Sequence, residues 1–268
     1  MRLIINLKVR GDKVIPLNYN YFLSSAIYRL LRFGSPEFAE FLHEKGFVNS
    51  GRKYKLFTFA LRFEKFKINN HRIRLIKPAA TLIISSPLIE DFLKNFLFGA
   101  FGESELRLFT KETEAVFTIE QIINKPHLNI NDEQVKFILL APMILSTKKV
   151  INGKLKQYYF RYYDQIEELN SVLNANLINK YEILHNTKYV GKGVKIKWDK
   201  NYINRKITNG KKLTKKITIE KSTKIKIDLI GNQIPFEISG DKELIEVGYQ
   251  CGFGEKNSMG FGMVDVVQ

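Results

Sequence analysis

Apolar periodicity changes along this chain in a set order, and that order restricts the fold more than any single residue does. Residues 2–9 alternate apolar and polar, as a half-buried strand does. The stretch NYNYFLSSAIYRLLRFG, 18–34, then sets Phe22, Leu23, Ala26, Ile27, Leu30 and Leu31 at helical spacing, and Gly34 ends it. Ser35-Pro36 restarts the chain with an N-cap serine and a proline at the first helical position. A short helix is predicted over 36–46, with Phe38, Phe41 and Leu42 on its buried face and Gly46 as its stop. Strands follow over 55–63, 71–77 and 80–86, an amphipathic helix over 87–100, and a strand over 114–124. This is the order of a split β-α-β, ferredoxin-like unit.

The second half shows no sequence repeat but echoes the order. A buried strand is expected over 135–146 and a helix over 158–184. Strands over 192–199, 215–231 and 234–239 precede a helix over 241–252 that Asp241 opens, and 259–267 is the last strand. The boundary falls between 124 and 131, around Pro126. The expected fold is therefore α+β: two tandem ferredoxin-like, RRM-like βαββαβ domains, 1–126 and 127–268.

Function classes narrow on charge and spacing. With 43 basic and 27 acidic residues the chain carries +16, which favours a polyanionic partner, nucleic acid first. Frequent Ile, Asn and Lys also fit an A·T-rich genome, but the lysines are unevenly spread. Between Lys195 and Lys226 there are 12 Lys or Arg and only two acids, Asp199 and Glu220. This stretch reads as a basic hairpin, with Lys211, Lys212, Lys215 and Lys216 at its turn and Lys195 and Lys197 on its approach. The lone cysteine, Cys251, permits no internal disulfide and reads as a small buried residue, which fits the cytoplasm. The N-terminus reads as a first strand, not a signal peptide, and the longest apolar run, 137–145, is too short to span a bilayer, so no membrane partner is expected. No His, Cys or carboxylate pair has metal-ligand spacing, so neither a metal nor another cofactor is expected.

Residues 251–264 read CGFGEKNSMGFGMV. This is no Walker loop, since no Gly-Lys-Ser/Thr follows, and no dinucleotide fingerprint, since a helix precedes it and a strand follows. Glycine tolerates positive φ and close backbone approach, and free N–H groups in such turns form anion-binding concavities. Gly252, Gly254, Gly260 and Gly262, with Lys256, Asn257 and Ser258, could seat a phosphate backbone. The plainer alternative is a tight turn that packs the last strand.

The stretch GYQCGFGEKNSMGFGMV resembles the C-terminal glycine-rich signature of the CRISPR-associated endoribonucleases that cut precursor CRISPR RNA, the Cas-six branch of the RAMP superfamily. PLNYNYFLSSAIYRLL, FAEFLHEKGF and KLFTFAL resemble the family's first helix, its histidine-bearing helix and its second strand. The resemblance implies tandem ferredoxin-like domains and cleavage without metal, in which the ribose 2′-OH attacks the adjacent phosphate to leave a 2′,3′-cyclic phosphate and a 5′-OH. It implies catalytic roles for His43, as proton acceptor or donor, for Tyr28, and for a cation. Lys55 aligns best with that cation, and Lys53 and Arg52 compete for it or contact RNA. The implied partners are CRISPR repeat RNA, an interference complex and a second copy in a homodimer. The alternative function is a RAMP subunit that holds RNA in such a complex without cutting. Trp198 reads as core before it reads as a base-stacking residue, and His71, His127 and His185 read as loop residues.

Overall fold

The computed structural model describes residues 1–109, 114–126, 128, 130, 134–220 and 226–267. The chain forms two compact units, the first made of 1–48, 53–127 and 258–260, the second of 49–52, 128–257 and 261–268.

The first unit is a five-stranded antiparallel sheet in the order Thr58–Phe63, Ala79–Ser85, Arg2–Gly11, Glu114–Lys125, Glu105–Phe109. The first four follow the ferredoxin-like order, and the fifth is an edge strand the periodicity did not reveal. Leu3, Ile5, Leu7 and Val9 alternate into the core. There they meet Leu23, Ile27, Leu30 and Leu31 of α1 (Asn20–Gly34), Phe96 of α3 (Asn95–Glu103) and Phe92 from the segment leading into it. These two helices cross at van der Waals contact. A Cβ on Gly99 would lie 2.0 Å from the Leu30 carbonyl oxygen, and one on Gly34 2.3 Å from that of Asn95.

Between them lies α2 (Pro36–Glu40), capped as expected: the Ser35 hydroxyl accepts the Phe38 N–H at 3.3 Å. Its continuation, Phe41–Lys45, is a wider π-type turn that ends at Gly46. Leu42 is buried as predicted, but Phe41 is 36% exposed, and Ala39 takes its expected place in the core.

The second unit repeats the topology, with sheet order Val194–Trp198, Phe236–Gly240, Gln134–Leu139, Val264–Val266. Three expected spans change. The first strand stops at Leu139, short of Pro142, instead of running to 146. The predicted helix over 158–184 begins with strand: Tyr158 and Tyr159 close a hairpin of Ser146–Ile151 and Lys154–Tyr159, and the helix, α4, is Ile166–His185. The Asp164 carboxylate turns the chain between them by accepting from the Arg161 N–H and the Tyr158 hydroxyl. The last strand is only Val264–Val266, because Gly260 and Gly262 hold φ of +75° and +70°, outside the extended region.

The expected basic hairpin is three elements. Lys195 and Lys197 lie on the sheet strand Val194–Trp198, facing solvent. A short helix, α5 (Lys200–Thr208), follows, and only then the hairpin Thr214–Glu220 with Lys226–Asn232. Lys211 and Lys212 sit in the loop after α5, while Lys215 and Lys216 sit on a strand; residues 221–225 lie outside the described ones, as does His127. No helix among the described residues is long and apolar enough to cross a membrane.

Candidate active site and glycine turn

His43 sits in the π-type turn, with 62% of its side chain exposed. Its Nδ1 lies 2.7 Å from Oε1 of Glu44. That carboxylate is held below its ordinary pKa, first by this hydrogen bond, so it is ionised and can only accept. The proton therefore resides on Nδ1, which leaves Nε2 outside this hydrogen bond. The Tyr28 ring, on α1, stands edge-to-face against the imidazole at 5.4 Å and 87°. Phe57 backs that ring at 5.9 Å. Burial raises the Tyr28 phenol above its ordinary pKa, against an opposing hydrogen bond from Ser258, so it remains a protonated donor.

Lys55 reaches the same turn from below. Its Nζ donates to the carbonyl oxygens of Leu42 and His43, the unpaired acceptors of a helix C-terminus. Gly46 makes room for it: with φ of +64°, a Cβ there would stand 2.7 Å from the Tyr54 carbonyl oxygen and 3.1 Å from the Lys55 amine. Burial, then the charge of Lys53, pulls the Lys55 amine down to about 8. Lys53 donates to the Glu44 carbonyl oxygen at 3.1 Å. Both lysines thus hold the carbonyl end of the histidine turn. The third candidate, Arg52, lies 3.7 Å from Glu255 in the second unit.

The glycine turn is tightly packed. Four of its amides are committed to the chain: Gly252 N–H to Gly248 O, Phe253 N–H to Gly262 O, Glu255 N–H to Ile144 O and Gly262 N–H to Pro142 O, at 2.8–2.9 Å. Gly252, Gly254, Gly260 and Gly262 are all buried. A Cβ at Gly254 would lie 2.2 Å from the Ile144 carbonyl oxygen, and one at Gly262 1.9 Å from that of Phe253. The buried Asn257 amide donates to Phe253 O and Phe261 O. What draws the turn together is a residue the sequence reading missed. Lys180 of α4 is buried, and its Nζ donates to Gly252 O, Gly254 O and Asn257 Oδ1 at 2.7, 2.9 and 2.8 Å. Three donors meet three acceptors, which satisfies an ammonium.

Two family models match the chain: CRISPR-associated protein Cas6, N-terminal, over 14–123, and CRISPR associated protein Cas6, C-terminal, over 123–266. The chain belongs to the Cas6 family. It is 31% identical over 273 residues to "CRISPR-associated endoribonuclease Cas6 1" of Methanocaldococcus jannaschii, spanning 98% of this chain and 92% of the relative. It is 25% identical over 272 residues to "CRISPR-associated endoribonuclease Cas6" of Pyrococcus furiosus, spanning 99% and 88%. A solved structure described as "CRISPR associated protein Cas6" has a TM-score of 0.73 at 29% identity, covering 100% of this chain and 99% of that one.

Of the Cas6 signature, Lys256 and Ser258 keep polar groups outside the packed turn. Lys256 is exposed at φ of +58°; Ser258 belongs to the first unit, where its carbonyl oxygen accepts the Ser24 hydroxyl at 2.8 Å and its side chain meets Tyr28. Met259 and Gly260 carbonyl oxygens accept from Asn20 of the same helix. Cys251 is fully buried, and burial pushes its thiol up to about 12. Trp198 is half-buried and packs edge-on against Phe236 at 6.0 Å. His71 is exposed, and His185 ends α4 with its ring 4.3 Å from Tyr181. Of the expected basic residues, Lys216 is paired with Asp228 at 2.6 Å, while Lys195, Lys197, Lys211, Lys212 and Lys215 stand exposed.

Two missed residues had signals. Glu44 is the neighbour of the candidate histidine in FLHEKGF. Lys180 falls at the spacing of Leu169, Leu173 and Leu177, on the buried face of α4, where a lysine needs a built set of acceptors.

Proposed function

We propose that this chain binds CRISPR repeat RNA and cleaves it within the repeat by internal attack of a ribose 2′-OH. The observation that carries this reading is the pairing of an exposed imidazole, its Nδ1 tied to Glu44, with the ring of Tyr28. Nε2 of His43 removes the 2′-OH proton, and the 2′-oxygen bonds to the adjacent phosphorus. The P–O5′ bond breaks, leaving a 2′,3′-cyclic phosphate, and the 5′-oxygen takes a proton from a water that protonated His43 in turn reprotonates. Tyr28, kept protonated, donates a hydrogen bond to the 2′-oxygen or a phosphate oxygen. Lys55 holds the histidine turn and places positive charge beside the developing phosphorane.

Every step uses groups of the protein, the RNA itself and water. Cleavage is therefore expected to persist in excess EDTA and to vanish when the nucleotide before the cut carries a single 2′-deoxy. Loss of product in EDTA, or cleavage of the deoxy substrate, overturns the mechanism. Tight binding without product assigns the chain instead to an RNA-holding subunit.

A pH dependence follows from Lys55. Its amine is pulled from 10.5 to about 8 by burial, so its positive charge is present below that pH and is lost above it. The cleavage rate at saturating RNA should fall as pH rises through about 8, and Lys55→Arg, which stays charged, should move that limb upward. A limb unmoved by the substitution removes Lys55 from this role.

A further inference from the structure

In the second unit, Val194–Trp198 and Phe236–Gly240 are paired neighbours, with Trp198 opposite Phe236. Adjacent antiparallel strands need a loop of only about 2–5 residues. Here residues 199–235 intervene, carrying α5 and the hairpin behind it. The hairpin earns its place by packing, with Ile219 and Leu229 buried. In contrast, α5 buries no residue at all, alone among the α-helices of the described residues. At nine residues it is too short to persist on propensity alone. Asp199 caps it, accepting the Tyr202 N–H at 2.9 Å, and Lys136 anchors that cap at 3.0 Å. The fold thus holds in place a helix that gives nothing to the core.

The helix carries one half-buried aromatic ring among cations. Tyr202, Arg205 and Lys206 stand at i, i+3 and i+4, on one face. The guanidinium carbon of Arg205 lies 5.8 Å and Nζ of Lys206 5.1 Å from the Tyr202 ring centroid. Gly210, at φ of +62°, ends the turn and delivers Lys211 and Lys212, whose side chains are exposed. Among the described residues none of Arg205, Lys206, Lys211 and Lys212 forms an ion pair with a carboxylate.

We propose that α5 and its C-terminal loop are a docking site for single-stranded RNA. One base stacks on Tyr202, and the flanking phosphates meet Arg205, Lys206, Lys211 and Lys212. A duplex hides its base faces within the stack, whereas an unpaired strand offers them, so the aromatic ring selects the single strand. The inference rests on the RNA-binding reading above and adds to it a place on the protein and a strand state.

The test is binding of a fluorescein-labelled single-stranded repeat RNA, by anisotropy, across a salt series, with melting temperature as the fold control. Tyr202→Ala is expected to weaken binding roughly 5- to 150-fold. Arg205→Gln with Lys206→Gln is expected to reduce the slope of log K against log salt by about 1.4. The same RNA annealed to its complement should lose the Tyr202 effect. Wild-type affinity and slope in both variants, while the wild type binds, overturn the α5 site alone. An equal Tyr202 effect on duplex RNA overturns the stacking. Failure of the wild type to bind repeat RNA sinks the functional reading and this site with it.

Discussion

Replacing His43 with alanine is expected to slow single-turnover cleavage of repeat RNA by about 100- to 10,000-fold, the usual contribution of a positioned acid or base. Binding of uncleaved RNA should be retained. The expectation comes from the geometry of one nitrogen. Glu44 accepts from Nδ1, which leaves Nε2 as the only imidazole position able to take the 2′-OH proton. The side chain is mostly exposed, so its truncation opens no cavity, and stability should change by no more than about 0.5 kcal/mol. Loss of rate can then be read as loss of chemistry. A variant that cleaves at the wild-type rate removes His43 from the mechanism but leaves the family membership untouched. A variant that neither cleaves nor binds points to a role in holding RNA.

Replacing Lys180 with methionine should cost a few kcal/mol in all, at about 1–3 kcal/mol for each buried neutral acceptor left without its donor. For a chain of this length that is a fall of about 10 °C in melting temperature. Methionine fills the volume of the stem but donates nothing. The carbonyl oxygens of Gly252 and Gly254 and the amide oxygen of Asn257 would then lose their shared donor inside the protein. The turn cannot relax outward easily, because Gly254 and Gly262 already lie against backbone.

The wild type should also carry a pH signature. Burial lowers the Lys180 amine from 10.5 to about 8, so between those values the unfolded chain holds more of this proton than the folded one. This group's contribution to stability therefore rises with pH across that window, and Lys180→Met should flatten the rise. An unchanged melting temperature in the variant would falsify the anchoring role.

Legibility followed the range of the interactions. The ferredoxin-like order was readable because strand alternation and helix spacing are local, and the Ser35-Pro36 restart and Asp241 opening are local too. The first half of 158–184 misled because Tyr158 and Tyr159 pair with Thr147 and Ser146 across a turn at Asn152 and Gly153, which helical spacing does not weigh. The glycine stretch was legible as a signature but not in its physics. Glycines that expose amides and glycines that admit a neighbouring backbone look alike until the neighbours, here Ile144 and Phe253, are in place.

The sequence alone determined the family, the two-fold repetition of the topology, the excess of positive charge and the candidate histidine, because each resides in residue type and short spacing. Only the tertiary structure decided which donor and acceptor each polar group meets. It set Glu44 and Tyr28 about the imidazole, sent Lys55 to the carbonyl end of that turn, and buried Lys180 beneath the glycines. Hydrogen bonds act over about 3 Å, and which atoms come that close is settled by chain segments as far apart as Lys180 and Asn257.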